Sequence, residues 1–261
     1  MIRTSIASIF LKRFEKNQSV LSSSQTLRHL HKSVPCLKKA PKNLKGKSAS
    51  SQRWMVRQLS DPYVQKAAVD NFRCRSAYKL IEMDDKFRFL KPGLAVVDCG
   101  ACPGSWTQVA VNRVNAAEGF PRGMVVGVDL QHMSPIPGAK LLSNCDFTLE
   151  ETQEHIRKHL PNGKADVVLS DMAPNATGLA SLDHDQIVSL QLSAFKFSKV
   201  VLREDGVFVC KLWDGSHCKK FQSVVGDVFK FVKVVKPQSS RSNSAELFVF
   251  ARGYKKIRQD S

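Results

Sequence analysis

What this sequence has little of narrows its reading first. No apolar run in its 261 residues approaches the roughly 20 that a bilayer helix needs, so a soluble chain with no membrane span is expected. Acids are nearly missing from the first fifty residues, where Glu15 stands alone against eleven Lys and Arg. Seven cysteines, an odd number, are scattered at Cys36, Cys74, Cys99, Cys102, Cys145, Cys210 and Cys218. That is no secreted disulfide framework, and it suits a reducing compartment. The phosphate-gripping G-x-x-x-x-G-K-[ST] loop is absent, and so is the G-x-G-x-x-G dinucleotide fingerprint. Around Cys99 and Cys102 there is no second cysteine pair and no histidine set at ligand spacing. Zinc binding and redox exchange therefore lack support, and no metal is expected.

What is present is positive charge, +17 in all. A chain this basic meets an acidic partner, most often nucleic acid. More than half of the excess lies in residues 1–50. MIRTSIASIFLKRF can form a basic amphipathic helix, and the Ser-, Lys- and Arg-rich stretch after it has the composition of a mitochondrial transit peptide. The competing assignment is a basic tail that touches RNA. Residues 1–50 are read as a leader, and 51–261 as one domain.

From Ser51 the pattern changes. Helical segments break near Ser60-Asp61-Pro62, where Ser or Asp can cap the next helix. After Lys91-Pro92-Gly93, short apolar strands alternate with helices: LAVVDCG, GMVVGVDL, ADVVLSDMAP and GVFVCKLWDG, with helices at WTQVAVNRV, ETQEHIRKHL, HDQIVSLQLSAFKFSKVVL and SHCKKFQSVVGDVF. The third helix is expected to end at Glu204-Asp205-Gly206. FVKVVKP and ELFVFARGY follow as an antiparallel edge hairpin. Such alternation predicts an α/β fold with a mostly parallel sheet covered on both faces.

The most specific stretch is DCGACPGSW, residues 98–106. Its glycine spacing is Gly100-x-x-x-Gly104, which lacks the glycine that lets a pyrophosphate approach. A ligand without phosphate fits better. S-adenosyl-L-methionine carries a sulfonium, an amino-acid end, a ribose diol and an adenine. Asp129 can take the ribose hydroxyls and Asp146 the adenine amine. Gly104 lets backbone approach the methionine end, and Trp106 can wall the pocket. Strand tips of a doubly wound sheet open on one crevice, so Asp98, Asp129, Asp146 and Asp171 in register argue together.

The segments SSQRW, SDPYVQKA, RSAYKLIEMDDKF, KPGLAVVDCGACPGSWTQVA, VVGVDL, DVVLSDMAPNATG, GVFVCKLWDG and KPQSSRSNSAELFVFARG carry a resemblance. From Ser51 to Tyr254 the chain resembles the FtsJ-like family of RNA ribose 2′-O-methyltransferases. With its basic leader it is most similar to the mitochondrial large-subunit rRNA, uridine-directed branch. The resemblance implies a Rossmann-like class I methyltransferase fold with a seven-stranded sheet, S-adenosyl-L-methionine as cofactor, rRNA in a large ribosomal subunit or its precursor as partner, and a matrix location. It implies a catalytic set of Lys79, Asp171, Lys211 and Glu246. It places cofactor contacts at Gly100, Pro103, Gly104, Trp106, Asp129, Asp146 and Asp171. Departures are Ser105, where the family often has a second glycine, and Cys99 and Cys102, where Leu and Ala are common. The loop NAAEGFPRG is also extended.

Methyl transfer of this kind is an in-line displacement, so positioning supplies much of the rate. The hydroxyl must also lose a proton, and Lys211 is the candidate for taking or steering it. Lys211 is conspicuous because it follows the apolar run Val207-Phe208-Val209-Cys210. A free lysine has a pKa of about 10.4, so a base role needs depression, for which Lys79 nearby is the candidate. Asp171 and Glu246 favour charged lysine and would hold the amines in place. Phosphate contacts are expected from Arg53, Arg57, Lys66, Arg73 and Arg75, and from Lys236, Arg241 and Arg252. Trp54 and Tyr78 are candidates for base stacking, with core packing the alternative. Two rival functions remain at this point. One is an rRNA-binding assembly factor whose catalysis is dispensable. The other is a nicotinamide-dependent dehydrogenase, which the glycine spacing disfavours.

Overall fold

A computed structural model describes residues 48, 51–52, 55, 58–59, 61–174 and 177–255. The leader expected over 1–50, Ser48 apart, lies outside the described residues, as do Arg53, Trp54 and Arg57.

Two helices open the described fold, α1 (Pro62–Val69) and α2 (Ala77–Phe87). Asp61 is the residue that caps α1, its Oδ1 accepting the Tyr63 N–H at 3.1 Å. The strands are β1 (Ala95–Cys99), β2 (Met124–Asp129), β3 (Ala139–Ser143), β4 (Ala165–Ser170), β5 (Leu202–Trp213), β6 (Phe229–Val235) and β7 (Glu246–Tyr254). Between them run α3 (Ser105–Val114), α4 (Glu150–Lys158), α5 (Ala180–Val201) and α6 (Cys218–Val228). The seven-stranded sheet has the order β3-β2-β1-β4-β5-β7-β6. β1 to β5 run parallel, and β7 inserts antiparallel between β5 and β6.

Each central strand feeds two cores, because successive side chains point to opposite faces. Phe208, Cys210 and Leu212 join one core with Ile156, Ile187 and Phe221 of α4, α5 and α6. Val207 and Val209 join the other with Leu80, Met83, Trp106 and Val109 of α2 and α3. Burial on both faces explains why these strands read as apolar runs rather than alternating ones.

Two boundaries differ from the sequence expectation. α5 ends at Val201, and Glu204-Asp205-Gly206 lies inside β5. Val201 and Leu202 are buried, so the chain turns into the strand there. The acids and glycine then form an irregularity opposite Ala165–Val167, with Asp205 at φ 62°. β3 was implied only by the placing of Asp146 at a strand tip. It is an edge strand with Leu142 as its one buried side chain, so its apolar signal is faint.

Candidate active site

The strand reversal beside β1 opens the crevice at which ligands of such sheets bind. β1 and β4 bring Asp98 and Asp171 there, and β5 brings Lys211. β7 runs the other way, so its first residue, Glu246, arrives at the same crest, opposite Trp213.

Period-two alternation decides which face these groups occupy. Val96, Leu169, Val209 and Phe248 all pack in the core under α2 and α3. Asp98, Asp171 and Lys211 are each two residues further along, and Glu246 is two residues before Phe248. All four therefore stand on that face, on the contiguous strands β1, β4, β5 and β7. Lys79 comes down from α2, its Nζ 5.7 Å from the Phe248 ring centroid.

The polar ends then meet. Lys79 Nζ donates to Glu246 Oε2 at 2.6 Å. Lys211 Nζ donates to the Asp171 carbonyl oxygen and lies 3.1 Å from Asp171 Oδ1. The second contact is one of charge, since Oδ1 has no hydrogen-bond partner of suitable geometry. Lys79 and Glu246 are largely buried, with side-chain exposures of 12% and 11%. Burial pulls the Lys79 ammonium towards its neutral form, but the carboxylates of Asp171 and Glu246 outweigh it and raise its pKa above the ordinary lysine value. Burial pushes the Glu246 carboxyl up, and Lys79, Lys211 and the Ser240 hydroxyl together hold it below the ordinary glutamate value.

Beside this cluster lies the glycine turn. Asp98 is fully buried, and its Oδ2 accepts the Thr107 hydroxyl at 2.7 Å. Burial, with Asp171 and Asp129 adding to it, pushes the Asp98 carboxyl up to about 7. Asp129 at the end of β2 accepts the Cys102 N–H at 2.9 Å and the Gln131 N–H at 2.8 Å, so its carboxylate shapes the turn. Asp146, past β3, accepts both the N–H and the hydroxyl of Thr148 through Oδ1. Gly100 has φ 74°, and a Cβ there would fall 2.0 Å from Met172 Cγ. Pro103 follows in the same turn and presents its carbonyl oxygen to Arg73 at 2.7 Å.

Three expectations change on this geometry. Trp106 does not wall a crevice: its side chain is in the core, 2% exposed, with the indole N–H donated to the Ser76 carbonyl at 2.9 Å. Only its backbone can face a ligand. The side of Gly104 where a Cβ would point is filled by Ile136 and Arg73, so this glycine makes room for protein as well as for backbone approach. Arg73, expected at phosphate, spends its guanidinium on the carbonyls of Pro103, Ser134 and Pro135. It ties the segment before α2 to the turn after β1 and the loop after β2.

The other basic candidates divide. Arg75 and Arg241 both pair with Asp61, Arg252 donates to the Phe87 carbonyl, and Lys236 donates to the Ser244 carbonyl at 2.8 Å. Lys66 is exposed, over the Tyr78 ring. Tyr78 itself is packed, 4% exposed, with its hydroxyl on Asp70.

Several positioning groups escaped the sequence reading. Gln191, fully buried on α5, accepts the Ser170 hydroxyl at 2.7 Å and donates to the Met172 carbonyl at 3.0 Å, straddling Asp171. An amide in helical register with buried Ile187 and Phe195 was the available signal. Ser240 and Glu82 brace Glu246 and its loop, inside motifs whose individual residues had no assigned role.

The chemistry of this site suits a cationic, donor-bearing ligand. Asp98 Oδ1 and Asp171 Oδ1 are buried acceptors without hydrogen-bond partners, on neighbouring strands. Among the described residues no group of three or more His, Cys, Asp or Glu could hold a metal ion, and no helix is long and apolar enough to cross a membrane.

The chain is similar to known proteins over most of its length. A profile of the FtsJ-like methyltransferase family matches residues 72–254. The chain is 47% identical over 221 residues to rRNA methyltransferase 2, mitochondrial, of Drosophila melanogaster, covering 84% of this chain and 88% of that one. It is 46% identical over 222 residues to ribosomal RNA large subunit methyltransferase E of Roseobacter denitrificans, covering 84% and 92%. A ribosomal RNA methyltransferase from Plasmodium falciparum superposes with a TM-score of 0.63 at 28% identity, over 70% of this chain and 98% of that one. Motif, sheet order and sequence similarity thus converge, and the chain belongs to the FtsJ-like methyltransferase family.

Proposed function

We propose that this protein transfers a methyl group from S-adenosyl-L-methionine to a ribose 2′-hydroxyl, that of a uridine, in mitochondrial large-subunit rRNA. The observation that carries the proposal is the convergence of Asp171, Lys211 and Glu246, from the ends of the three adjacent strands β4, β5 and β7, with Lys79 of α2. The names of the Drosophila and Roseobacter relatives support the rRNA substrate. The basic leader and the Drosophila relative support import into the matrix, with residues 51–261 as the working domain. The RNA would be met within a large ribosomal subunit or its precursor.

When bound, S-adenosyl-L-methionine supplies an electrophilic methyl on a sulfonium. Asp129 would hold the ribose diol and Asp146 the adenine amine. The backbone of the turn through Gly100, Pro103 and Gly104, with that of Trp106, would hold the methionine end. Asp98 Oδ1, which accepts no hydrogen bond, and Asp171 Oδ1, ion-paired with Lys211, would face positive charge there. A carboxylate oxygen has two acceptor positions, so Asp129 can take a diol while retaining its turn contacts.

Lys211 Nζ is the atom that meets the hydroxyl. An ammonium carries three N–H groups. One goes to the Asp171 carbonyl, and the others can hold the hydroxyl through its oxygen lone pair; the proton itself is taken by the neutral amine, whose nitrogen then carries a lone pair. The Lys79–Glu246 pair neutralises itself beside this atom. It fixes the local field at little reorganisation cost during the reaction, which is where preorganised charge is most effective.

The test is methyl transfer from labelled cofactor to large-subunit rRNA by the purified protein and by Lys211→Ala. The expected result is loss of transfer by about a hundredfold or more, with cofactor affinity by calorimetry unchanged. Full transfer by Lys211→Ala, or none by the wild type, would overturn the proposal. Ribose-methylation mapping in cells lacking the protein identifies the nucleotide.

A further inference from the structure

We propose that Ser240 is a positioning residue, whose hydroxyl fixes one oxygen of Glu246 so that the other stays on Lys79. The role rests on the reading of the site given above. The Ser240 hydroxyl donates to Glu246 Oε1 at 2.8 Å, while Lys79 Nζ donates to Oε2 at 2.6 Å. Ser240 is 7% exposed, so bulk water does not stand in readily for this bond.

A serine hydroxyl orients a carboxylate only if its own backbone is held, and here it is. Ser240 N–H closes a turn onto the Pro237 carbonyl at 3.0 Å. The preceding Ser239 N–H is taken by both oxygens of Glu82, at 3.0 and 3.3 Å. The Ser239 carbonyl accepts from Arg75, and Arg75 is itself paired with Asp61. Glu246 N–H is held in turn by the Ser244 hydroxyl at 3.2 Å.

Glu82 lies three residues after Lys79 on α2, so the two side chains share a helix face. One rigid helix therefore grips the circuit at both ends. Glu82 stakes the loop that carries Ser240, and Lys79 takes the carboxylate that Ser240 aims. The terminal torsion of a glutamate is broad and roughly two-fold. Without the hydroxyl, the carboxylate is free to turn away from Lys79 towards Lys211, which also faces it. This gives a purpose to the K-P-Q-S-S-R turn, which otherwise only links β6 to β7.

The experiment compares wild type, Ser240→Ala, Ser240→Thr and Ser240→Cys as full-length proteins. It measures methyl transfer, cofactor affinity, melting temperature and the pH–rate profile. For Ser240→Ala, kcat falls by about tenfold or more, while cofactor affinity and the KM for RNA stay near wild type. The acid limb of the profile moves to higher pH, because the carboxyl has lost a donor that favours its charged form. The other charged groups facing it, Lys79, Lys211 and Arg75, remain. Ser240→Thr restores both kcat and the acid limb. Ser240→Cys keeps the bulk, donates weakly, and falls between, which keeps the series informative if the alanine variant folds poorly. Wild-type kcat and an unmoved acid limb in Ser240→Ala would overturn the positioning role. So would a well-folded Ser240→Thr that restores neither. A wild type that transfers no methyl group would instead defeat the reading of the site on which the role rests.

Discussion

The Lys79 ammonium sits 2.6 Å from Glu246 Oε2, although 167 positions of chain separate the two residues. One comes from a helix before the sheet begins and the other from the start of its last strand. Sheet order and the packing of α2 on the sheet bring them together: β7 enters antiparallel beside β5, so its first residue stands at the crest where the parallel strands end, and α2 lays Lys79 over it.

Because the pair is nearly buried, breaking it leaves an uncompensated charge, at a cost of about 3 kcal/mol. Glu246→Gln should lose that much by urea unfolding at pH 7. The pH dependence has a definite sign on each side. The Glu246 pKa is lowered by folding, so its contribution is complete above the ordinary glutamate value of about 4.3 and is lost as pH falls through the lower folded value. The Lys79 pKa is raised, so its contribution is complete below the ordinary lysine value of about 10.4 and is lost as pH rises through the higher folded value. Glu246→Gln should therefore weaken both the acid and the alkaline fall in stability. If both edges persist unchanged, the pair is not the stabilising contact it looks to be.

Asp98 works in the opposite sense. Its folded pKa is about 7, so between the ordinary aspartate value and 7 the native state keeps a proton that the unfolded chain has released. Stability then falls as pH rises through that window, by on the order of 4 kcal/mol in all. Asp98→Asn cannot ionise and should remove this slope. Urea midpoints from acid to mildly alkaline pH, taken without cofactor, decide the matter. A slope that survives the substitution assigns the titration to another group.

Arg73 and Lys66 should separate cleanly. Arg73 holds three loop carbonyls, whereas Lys66 is exposed on α1, its ammonium over the Tyr78 ring. Arg73→Ala should weaken cofactor binding about tenfold or more, since each hydrogen bond from a charged group is worth roughly 1.5–3 kcal/mol. It should leave the salt dependence of RNA binding alone. Lys66→Ala should reduce the magnitude of that salt slope by about 1 and leave cofactor affinity intact. The reverse pattern would return Arg73 to the RNA.

The strands and helices were legible because their periodicities are strong. Apolar runs such as Val96-Val97 and Val207-Phe208-Val209 are buried on both faces because helices cover the sheet on either side. β3 was faint because an edge strand with one buried side chain has little apolar pattern to read. The helix stop expected at Glu204-Asp205-Gly206 misled because acids and glycine also suit a strand irregularity. Among the site residues, Lys211 announced itself by following an apolar run. Trp106 misled because a tryptophan beside a glycine turn is equally suited to wall a pocket or fill a core.

By itself, the sequence determined which residues were available for chemistry and which segments would be strand or helix, because periodicity and turn chemistry are local properties. The tertiary structure alone decided the partners. Whether Lys79 meets Glu246, whether Arg73 faces phosphate or carbonyl oxygen, and whether Ser240 reaches a carboxylate depend on the order in which strands lie side by side. That order is set by burying two cores at once, a condition on the whole chain that no short stretch of it contains.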